Sequence, residues 1–383
     1  MTFVEICAQF GIDVIAKKDV TQGLINRTSI VKSSDGNKYV LQEINHNVFR
    51  NVRGLMNNVE LVTEHLSKKA KTQKEKDSTL RVIKTINGEN YVRTVDSENN
   101  PHYYRMYNYI ENASSYDEAS EELLFQAGVG FGRFQKQLAD FDATKLVETI
   151  PNFHNTVDRF MQFNNKYSEV WQKANVEGSE RDKVRIAKAT EAVEFAYNYS
   201  GMASTIMTEL GAGTIPLRVV HNDTKLNNIM VDNATHEPVC VVDLDTIMPG
   251  SVLFDFGDAV RFACNNAPED ERDLRKVNIN MDKFSAFTKG FLQETHESLT
   301  EREVKLLPLA PAILAYELGL RFLTDYLDGD KYFKCDSLRP DHNLERATSQ
   351  FMLASKILQY QRDMEDVVQQ TMEEYRKTEK TEE

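Results

Sequence analysis

Short segments in which apolar and polar residues alternate fill roughly the first 110 positions of the chain, a pattern typical of half-buried β-strands. Asp35-Gly36 and Asn87-Gly88 are dipeptides typical of tight hairpin turns, and apolar-rich segments flank each of them. The spacing predicts two hairpins followed by a single strand, with arms at residues 28–31 and 38–42, at 80–86 and 91–95, and at 102–107.

The pattern between and after the hairpins is helical. Residues 48–66 carry apolar side chains every three or four positions, which predicts a helix, and the Lys-rich stretch 68–76 is predicted to be a solvated linker. From about residue 112 onward, long helical segments dominate. Helices are predicted at residues 116–141, 155–175, 180–209, 281–298, 301–328 and 342–376.

Together these elements predict an α+β protein of two lobes. A small β-rich lobe, residues 1–110, would be joined by a short connector to a larger, mostly helical lobe, residues 111–383. This is the layout of protein kinase-like folds, which hold a nucleotide in the cleft between the lobes.

The composition and charge of the chain limit which binding partners and which cellular location are expected. A net charge of −13 argues against nucleic acid or an anionic membrane surface, because both would repel the chain. No segment approaches the ~20 consecutive apolar residues of a membrane span, and the N-terminus lacks the pattern of a signal peptide. The four cysteines lack metal-binding spacing, which favours buried thiols in a reducing compartment. We therefore expect a cytoplasmic protein, and a monomer because no feature demands an oligomer.

Two short apolar segments that each end in an acidic residue carry the most specific chemistry. Val219-Val220 leads through His221 to Asp223, with Asn228 five residues later, and residues 238–242 lead to Asp243. If the two segments are placed like the arms of a hairpin, these polar side chains meet. Asn228 and Asp243 would then offer oxygen ligands to Mg²⁺, which leaves coordination positions for phosphates. Asp223 would accept the proton of an attacking hydroxyl, so the pattern predicts phosphoryl transfer.

The structural alternative is a loop whose Asp and Asn residues only form caps and turns. His221 is expected to organise the loop rather than to react. Lys225 either steadies the transferred phosphoryl group or is a surface residue. Asp245 is a candidate contact for the acceptor molecule, and Asp255 is either a helix cap or a brace for the loop. Residues 22–28 are the candidate phosphate-covering loop, although they contain one glycine only.

The set His221-x-Asp223-x-x-x-x-Asn228 followed by Asp243 resembles the motif of the aminoglycoside phosphotransferase and choline kinase superfamily. Within it the chain looks most like the bacterial N-acetylhexosamine 1-kinases, in segments 39–45, 131–135, 148–154, 242–250 and 321–330. The resemblance implies phosphorylation of the anomeric hydroxyl of N-acetylglucosamine or N-acetylgalactosamine, with ATP and Mg²⁺. It also implies that Arg321 and Tyr332 contact the sugar and that Phe262 lines its pocket, where the expected base Asp223 meets the acceptor hydroxyl.

Gln42 stands where most kinase-like folds place a phosphate-binding Lys, which normally pairs with a helix Glu, here Glu60 or Glu64. The N-acetylhexosamine 1-kinases are similar in having Gln, so we expect activity to be retained. Arg27 and Lys38 are the candidate replacement cations. The expected nucleotide contacts are Thr28, Gln42 and the connector residues Met106, Tyr107, Asn108 and Tyr109.

Two alternatives follow from the same residues. The first is a kinase of another small hydroxyl compound, such as an amino alcohol or an aminoglycoside, although Arg321 favours a neutral, oxygen-rich acceptor. The second is a nucleotide-binding pseudokinase, suggested by Gln42 and the glycine-poor loop. The intact set of Asp223, Asn228 and Asp243 argues against it.

Overall fold

The structure, a computed structural model, describes residues 1–20, 25–116 and 120–382, with side chains described as far as residue 377. The N-terminal region is a five-stranded antiparallel sheet in the order β1-β2-β3-β5-β4. The strands are β1 (Val14–Val20), β2 (Arg27–Ser33), β3 (Lys38–Ile44), β4 (Val92–Val95) and β5 (Pro101–Asn108), and the helices are α1 (Phe3–Gln9), α2 (Val52–Lys69) and α3 (Gln73–Asp77).

Side chains alternate between the two faces of this sheet. On the outer face, Leu41 and Met106 pack with Cys7 and Phe10 around α1. The inner face packs on α2 and on residues of the helical region. Because successive strand residues point to opposite faces, Gln42 and Arg105 belong to the inner face, which is turned towards the cleft.

The hairpin prediction is confirmed at Asp35-Gly36, where β2 and β3 pair and Gly36 has a φ of +90°. It is wrong for the second hairpin, because residues 80–86 form no strand. Val82 makes an isolated bridge to Tyr107, whereas β4 pairs with residues 101–104. Both arms therefore lie along the same edge of β5, one after the other. They meet only at the Asn87-Gly88 turn, where the Thr85 N–H donates to the Glu89 carbonyl oxygen (2.8 Å).

The helical region contains eleven described helices and five short strands. The helices are α4 (Glu121–Gln137), α5 (Thr156–Asn175), α6 (Glu180–Asn198), α7 (Ser200–Ala203), α8 (Thr205–Ala212), α9 (Val252–Ala263), α10 (Met281–Thr295), α11 (Glu301–Leu306), α12 (Ala310–Asp328), α13 (His342–Gln359) and α14 (Gln361–Glu382). The strands are β6 (Ala113–Ser114), β7 (Arg218–Val220), β8 (Ile229–Asp232), β9 (Pro238–Val241) and β10 (Met248–Gly250). Within the described part of the chain, no helix has the length and apolar content needed to cross a membrane.

Three of the predicted long helices are divided. The predicted helix 301–328 is interrupted before α12, near Pro308, because proline lacks the N–H that would continue the helical hydrogen bonds. The predicted helices 180–209 and 342–376 are divided into α6, α7 and α8, and into α13 and α14. The predicted start of the helix after residue 116 falls partly on residues 117–119, outside the described residues; α4 begins after its N-cap, Ser120.

Asn58 on α2 joins the sheet region to the helical region. Its amide nitrogen donates to the carbonyl oxygens of Val147 (2.7 Å) and Ile247 (2.9 Å), and its amide oxygen accepts from the Val147 N–H (3.0 Å). Asn58 is completely buried, so these bonds do not compete with water. They attach the middle of α2 to the backbone of the larger lobe.

Helices α4 and α10 approach closely through glycines. A Cβ atom added to Gly290 would overlap the backbone oxygen of Phe125, and one added to Gly128 would overlap that of Phe287. We expect Gly290→Ala to lower the free energy of unfolding by about 1–3 kcal/mol, the usual cost of overpacking. Chemical denaturation would measure this change. Gly211→Ala is the matched control, because that helical glycine has open space around it and alanine favours helix. Equal stabilities of the two variants would contradict the close approach.

Candidate active site

The loop that carries His221, Asp223 and Asn228 runs from β7 to β8. Strand β7 pairs with β10, and β8 pairs with β9, so the two strands that lead to Asp223 and Asp243 are not partners in a hairpin. The acidic residues still meet, because the Val242 N–H donates to the Asn228 carbonyl oxygen (2.9 Å) and places Asp243 beside Asn228. The structure thus brings together the three residues expected from the sequence by a different strand pairing.

His221 holds this loop from beneath. Its Nε2 donates to the Val242 carbonyl oxygen (2.9 Å), and its Nδ1 accepts from the Asp223 N–H (3.3 Å). Both ring nitrogens are therefore bound to the backbone of the two segments that carry Asp223 and Asp243. The ring is fully buried in T-shaped contacts with Phe131 and Phe134, so His221 positions the loop and does not face the cleft.

Asp255 is a brace for the loop and not a helix cap. Its carboxylate accepts from the backbone N–H groups of His221 (2.9 Å) and Asn222 (2.7 Å) and from the amide of Gln135 (2.8 Å). The N-cap of α9 is Ser251 instead. Burial raises the pKa of Asp255, although the donors around it act in the opposite direction. These bonds fix the backbone of His221 and Asn222, the two residues before Asp223.

Asp223 is the partly exposed carboxylate of the loop. Its Oδ1 lies 2.8 Å from the Lys225 ammonium group, and its backbone oxygen accepts from the Asn228 amide nitrogen (2.7 Å). Burial disfavours the charge on Lys225, but the attraction of Asp223 outweighs it, and the pKa of Lys225 is raised. Lys225 therefore forms an ion pair with the expected catalytic carboxylate, and its side chain is 40% exposed.

Asp243 and Asn228 fit a divalent cation. Burial raises the pKa of Asp243 to about 6, with a further contribution from the neighbouring Asp245 and with Arg105 opposing it. A cation would relieve this cost. The Asn228 amide nitrogen is engaged by Asp223, which leaves its oxygen as the ligand atom. No group of three or more His, Cys, Asp or Glu side chains suited to a metal occurs in the described ranges, and Mg²⁺ needs only one or two carboxylates beside phosphates.

A row of polar side chains crosses the inner face of the sheet. Gln42 lies opposite Thr28 on one side and Arg105 on the other. The Gln42 amide nitrogen donates to the Thr28 hydroxyl oxygen (3.0 Å), and its amide oxygen accepts from Arg105 Nε (3.0 Å) and Nη2 (2.8 Å). Arg105 also forms an ion pair with Asp245, whose other oxygen accepts from Asn26. Asp245 is thus buried against the small lobe and not open to an acceptor.

The candidate replacement cations lie away from this row. The Arg27 side chain is 87% exposed, and Lys38 pairs with Glu111 at 3.1 Å. Glu60 forms an ion pair with Lys84, so it does not pair with a residue at the phosphate-binding position. Arg105, which the sequence reasoning missed, is the buried cation beside Gln42. Its signal in the sequence was weak, because a charged residue within a strand is ordinarily exposed.

The connector begins later than expected. Strand β5 includes Met106, Tyr107 and Asn108, and the Met106 side chain packs on the outer face of the sheet. The Asn108 side chain is bonded to the backbone of residues 79–81. Tyr107 is buried on the inner face, and Tyr109 is the first residue beyond the strand. Of these four, Met106 and Asn108 therefore have structural partners, and the segment from Tyr109 onward crosses between the lobes. The predicted phosphate-covering loop lies outside the described residues at positions 22–24.

Arg321 lies on α12 among aromatic rings. Its guanidinium carbon is 5.9 Å from the centre of the Phe153 ring and 5.4 Å from that of Phe333. Within the described ranges, no acidic side chain forms an ion pair with Arg321. Arg159 donates to the Phe153 carbonyl oxygen (3.0 Å), so both guanidinium groups contact Phe153. Burial, together with the positive charge of Arg321, lowers the pKa of Arg159.

A carboxylate supports the loop that carries Tyr332. Asp325 accepts from the backbone N–H groups of residues 331–333, each at 2.9 Å. Tyr332 is 75% exposed and contacts Phe333 edge to face. Phe262 is also exposed, near the end of α9, and no contact places it with Arg321.

The aromatic group adjoins the catalytic loop through His154. The His154 ring lies edge to face with Phe153 and is tilted against Phe254, and its Nε2 lies 3.4 Å from the Asn222 carbonyl oxygen. Its Nδ1 pairs with the buried Glu317 (2.9 Å). Burial disfavours the charged imidazole, but Glu317 outweighs this effect and raises the pKa of His154. The Arg321 region is therefore linked to the backbone one residue before Asp223.

A β-sheet lobe over a helical lobe, with Asp223 and Asn228 on one loop and Asp243 beside them, is the arrangement of a kinase-like phosphotransferase fold. The sequence model of the phosphotransferase enzyme family (APH) matches residues 18–278, more than half of the chain. The protein belongs to this family.

Solved structures confirm the predicted fold. An aminoglycoside phosphotransferase from Alicyclobacillus acidocaldarius is 12% identical, with a TM-score of 0.61 over 97% of both chains. A microcompartment-associated aminopropanol kinase is 15% identical, with a TM-score of 0.56 over 93% of this chain and 97% of that one. The amicoumacin kinase hAmiN, in complex with AMP-PNP, Ca²⁺ and Ami, is 11% identical, with a TM-score of 0.53 over 93% and 90%.

Proposed function

We propose that the protein is an ATP- and Mg²⁺-dependent kinase that phosphorylates the anomeric hydroxyl of an N-acetylhexosamine. The observation that carries the kinase activity is the placement of the partly exposed Asp223 beside Lys225 and the Asn228–Asp243 pair. Similar folds with the names aminoglycoside phosphotransferase, aminopropanol kinase and amicoumacin kinase support a small hydroxyl compound as the acceptor. In this proposal residues 1–110 bind the nucleotide and residues 111–383 supply catalysis and the acceptor pocket.

The oxygen of the acceptor hydroxyl attacks the terminal phosphorus of ATP, and Asp223 receives the proton of that hydroxyl. The bond from that phosphorus to the bridging oxygen breaks, and the products are ADP and a sugar 1-phosphate. Mg²⁺ held by Asn228 and Asp243 would neutralise charge on the phosphates. Lys225, 2.8 Å from Asp223, adds a positive charge at the same place. His221 and Asp255 keep the loop in position and take no part in the proton transfer.

The surroundings of Arg321 support a neutral, oxygen-rich acceptor. Arg321 and Arg159 both contact Phe153, and two positive charges beside this residue would repel a choline-like or aminoglycoside-like cation. Guanidinium donors suit hydroxyl and carbonyl oxygens, including that of an N-acetyl group. The rings of Phe153, Phe333 and Tyr332 offer apolar faces to a sugar.

The test is ADP release from Mg-ATP with N-acetylglucosamine, N-acetylgalactosamine, their parent hexoses, choline and an aminoglycoside as acceptors. We expect turnover with the N-acetylhexosamines and an acid-labile product, as a phosphate on the anomeric oxygen would be. Turnover with choline or the aminoglycoside alone would support the kinase activity but contradict an N-acetylhexosamine as the acceptor. Binding of ATP without turnover of any acceptor would favour a pseudokinase.

A further inference from the structure

Arg105 is a completely buried cation at the nucleotide face of the small lobe. It lies on β5 next to Gln42 of β3, on the inner face of the sheet. Its guanidinium group contacts the Gln42 amide, the Asp245 carboxylate and, at 5.2 Å, the Tyr107 ring. A buried arginine with no catalytic assignment requires a reason, because removing such a charge from water is costly.

The contacts of Arg105 determine how Gln42 is oriented. Arginine has only donors, so the group of Gln42 that faces it must be the amide oxygen, and the amide nitrogen must face Thr28. The Thr28 oxygen then accepts from Gln42. Its hydroxyl hydrogen is left to donate to another acceptor, and the second hydrogen of the Gln42 amide is left as well. Thr28 and Gln42 are half-buried, whereas Arg105 is wholly covered.

We propose that Arg105 is a positioning residue for the phosphates of the nucleotide, acting through Gln42 and Thr28. The three side chains form one chain of hydrogen bonds that runs from the buried charge to the cleft, with every donor directed away from Arg105. Such chains polarise along their length, so the hydroxyl and amide at the open end present positive hydrogen atoms to phosphate oxygens. Asp245 balances the charge of Arg105, so this series of hydrogen bonds offers polarised donors to the phosphates in place of the net charge that a lysine would bring.

This inference rests on the proposed ATP-dependent activity, and its test is binding rather than turnover. Dissociation constants of adenosine, ADP and Mg-ATP are measured by calorimetry for the wild type and for Arg105→Gln. We expect ADP and Mg-ATP to bind about 10- to 100-fold more weakly to the variant, the loss typical of a charge-assisted contact, while adenosine binds equally well. A purely structural role of Arg105 would weaken all three ligands together, and that result would overturn the proposal.

Moving the positive charge from position 105 to position 42 is a second test of the same series of hydrogen bonds. Gln42→Lys alone places a second cation beside Arg105 and is expected to weaken ADP binding. Gln42→Lys combined with Arg105→Gln brings the charge to the usual strand and is expected to restore ADP affinity to within about tenfold of the wild type. A double variant that binds ADP no better than Arg105→Gln would contradict the proposal.

Thr28→Val provides a test that leaves the buried charge in place, in case Arg105→Gln does not fold. We expect ADP affinity to fall about three- to tenfold, with adenosine affinity unchanged, because one neutral hydrogen bond is lost. Thr94→Val, the same change on β4 at the far edge of the sheet, is the control and should bind both ligands normally. Unchanged ADP binding by Thr28→Val would overturn the proposal that Arg105 acts through Gln42 and Thr28. A wild-type protein that binds no Mg-ATP would instead refute the proposed function.

Discussion

Replacing Asp223 by asparagine is expected to lower kcat by about 10²–10⁴-fold, the range that a general base contributes. The change removes the carboxylate that receives the proton but keeps the shape of the side chain. The backbone oxygen of residue 223 would still accept from Asn228, and Asp255 would still hold the preceding residues, so the loop should remain in place. Steady-state kinetics with the best acceptor would measure the loss.

Calorimetry with Mg-ATP separates this effect from a general loss of binding, and we expect the affinity of Asp223→Asn to stay close to that of the wild type. Asp363→Asn, on the exposed first turn of α14, carries the same chemical change away from the cleft and should keep full activity. Wild-type turnover by Asp223→Asn would remove Asp223 from the mechanism.

Replacing Asp243 is expected to abolish binding of ATP that depends on Mg²⁺. Asp243 has a φ of +61°, a left-handed conformation that asparagine tolerates better than alanine does. Asp243→Asn therefore removes the charged ligand with less backbone strain than Asp243→Ala. The loss of metal affinity should exceed the roughly 10–100-fold that loss of an outer partner costs.

The measurement is a titration of ATP at increasing Mg²⁺ concentration, with the same titration in a chelator as the internal control. We expect wild type and variant to be alike without Mg²⁺ and to separate as Mg²⁺ is added. An identical response of both proteins to Mg²⁺ would show that Asp243 is not a ligand.

The catalytic loop could be predicted from the sequence because its chemistry is local. His221, Asp223 and Asn228 lie within eight positions. They therefore stay close together whichever strands pair around them. The two-lobed fold was predicted for a similar reason, since alternating and helical patterns occupy separate parts of the chain. The helix boundaries were less accurate, because short breaks such as the one near Pro308 leave the periodicity almost unchanged.

Other features depend on contacts between distant positions. The ion pair of Arg105 and Asp245 joins residues 140 positions apart, and no local pattern connects them. Asp245 was expected to face the acceptor because it follows Asp243, but the partner that buries it belongs to the small lobe. The prediction of the second hairpin was wrong for the same reason, because both of its arms lie against one edge of β5. Arg321 and Tyr332 came from a resemblance, and their sugar contacts stay predictions.

The buried Asn58 has a consequence for how such an enzyme is governed. In protein kinases, movement of the corresponding small-lobe helix controls whether the enzyme is active. Here three hydrogen bonds to Val147 and Ile247 tether that helix to the backbone of the larger lobe, and displacing it would leave buried amide groups without partners. We therefore expect an enzyme that is always switched on, whose output follows the supply of its two substrates.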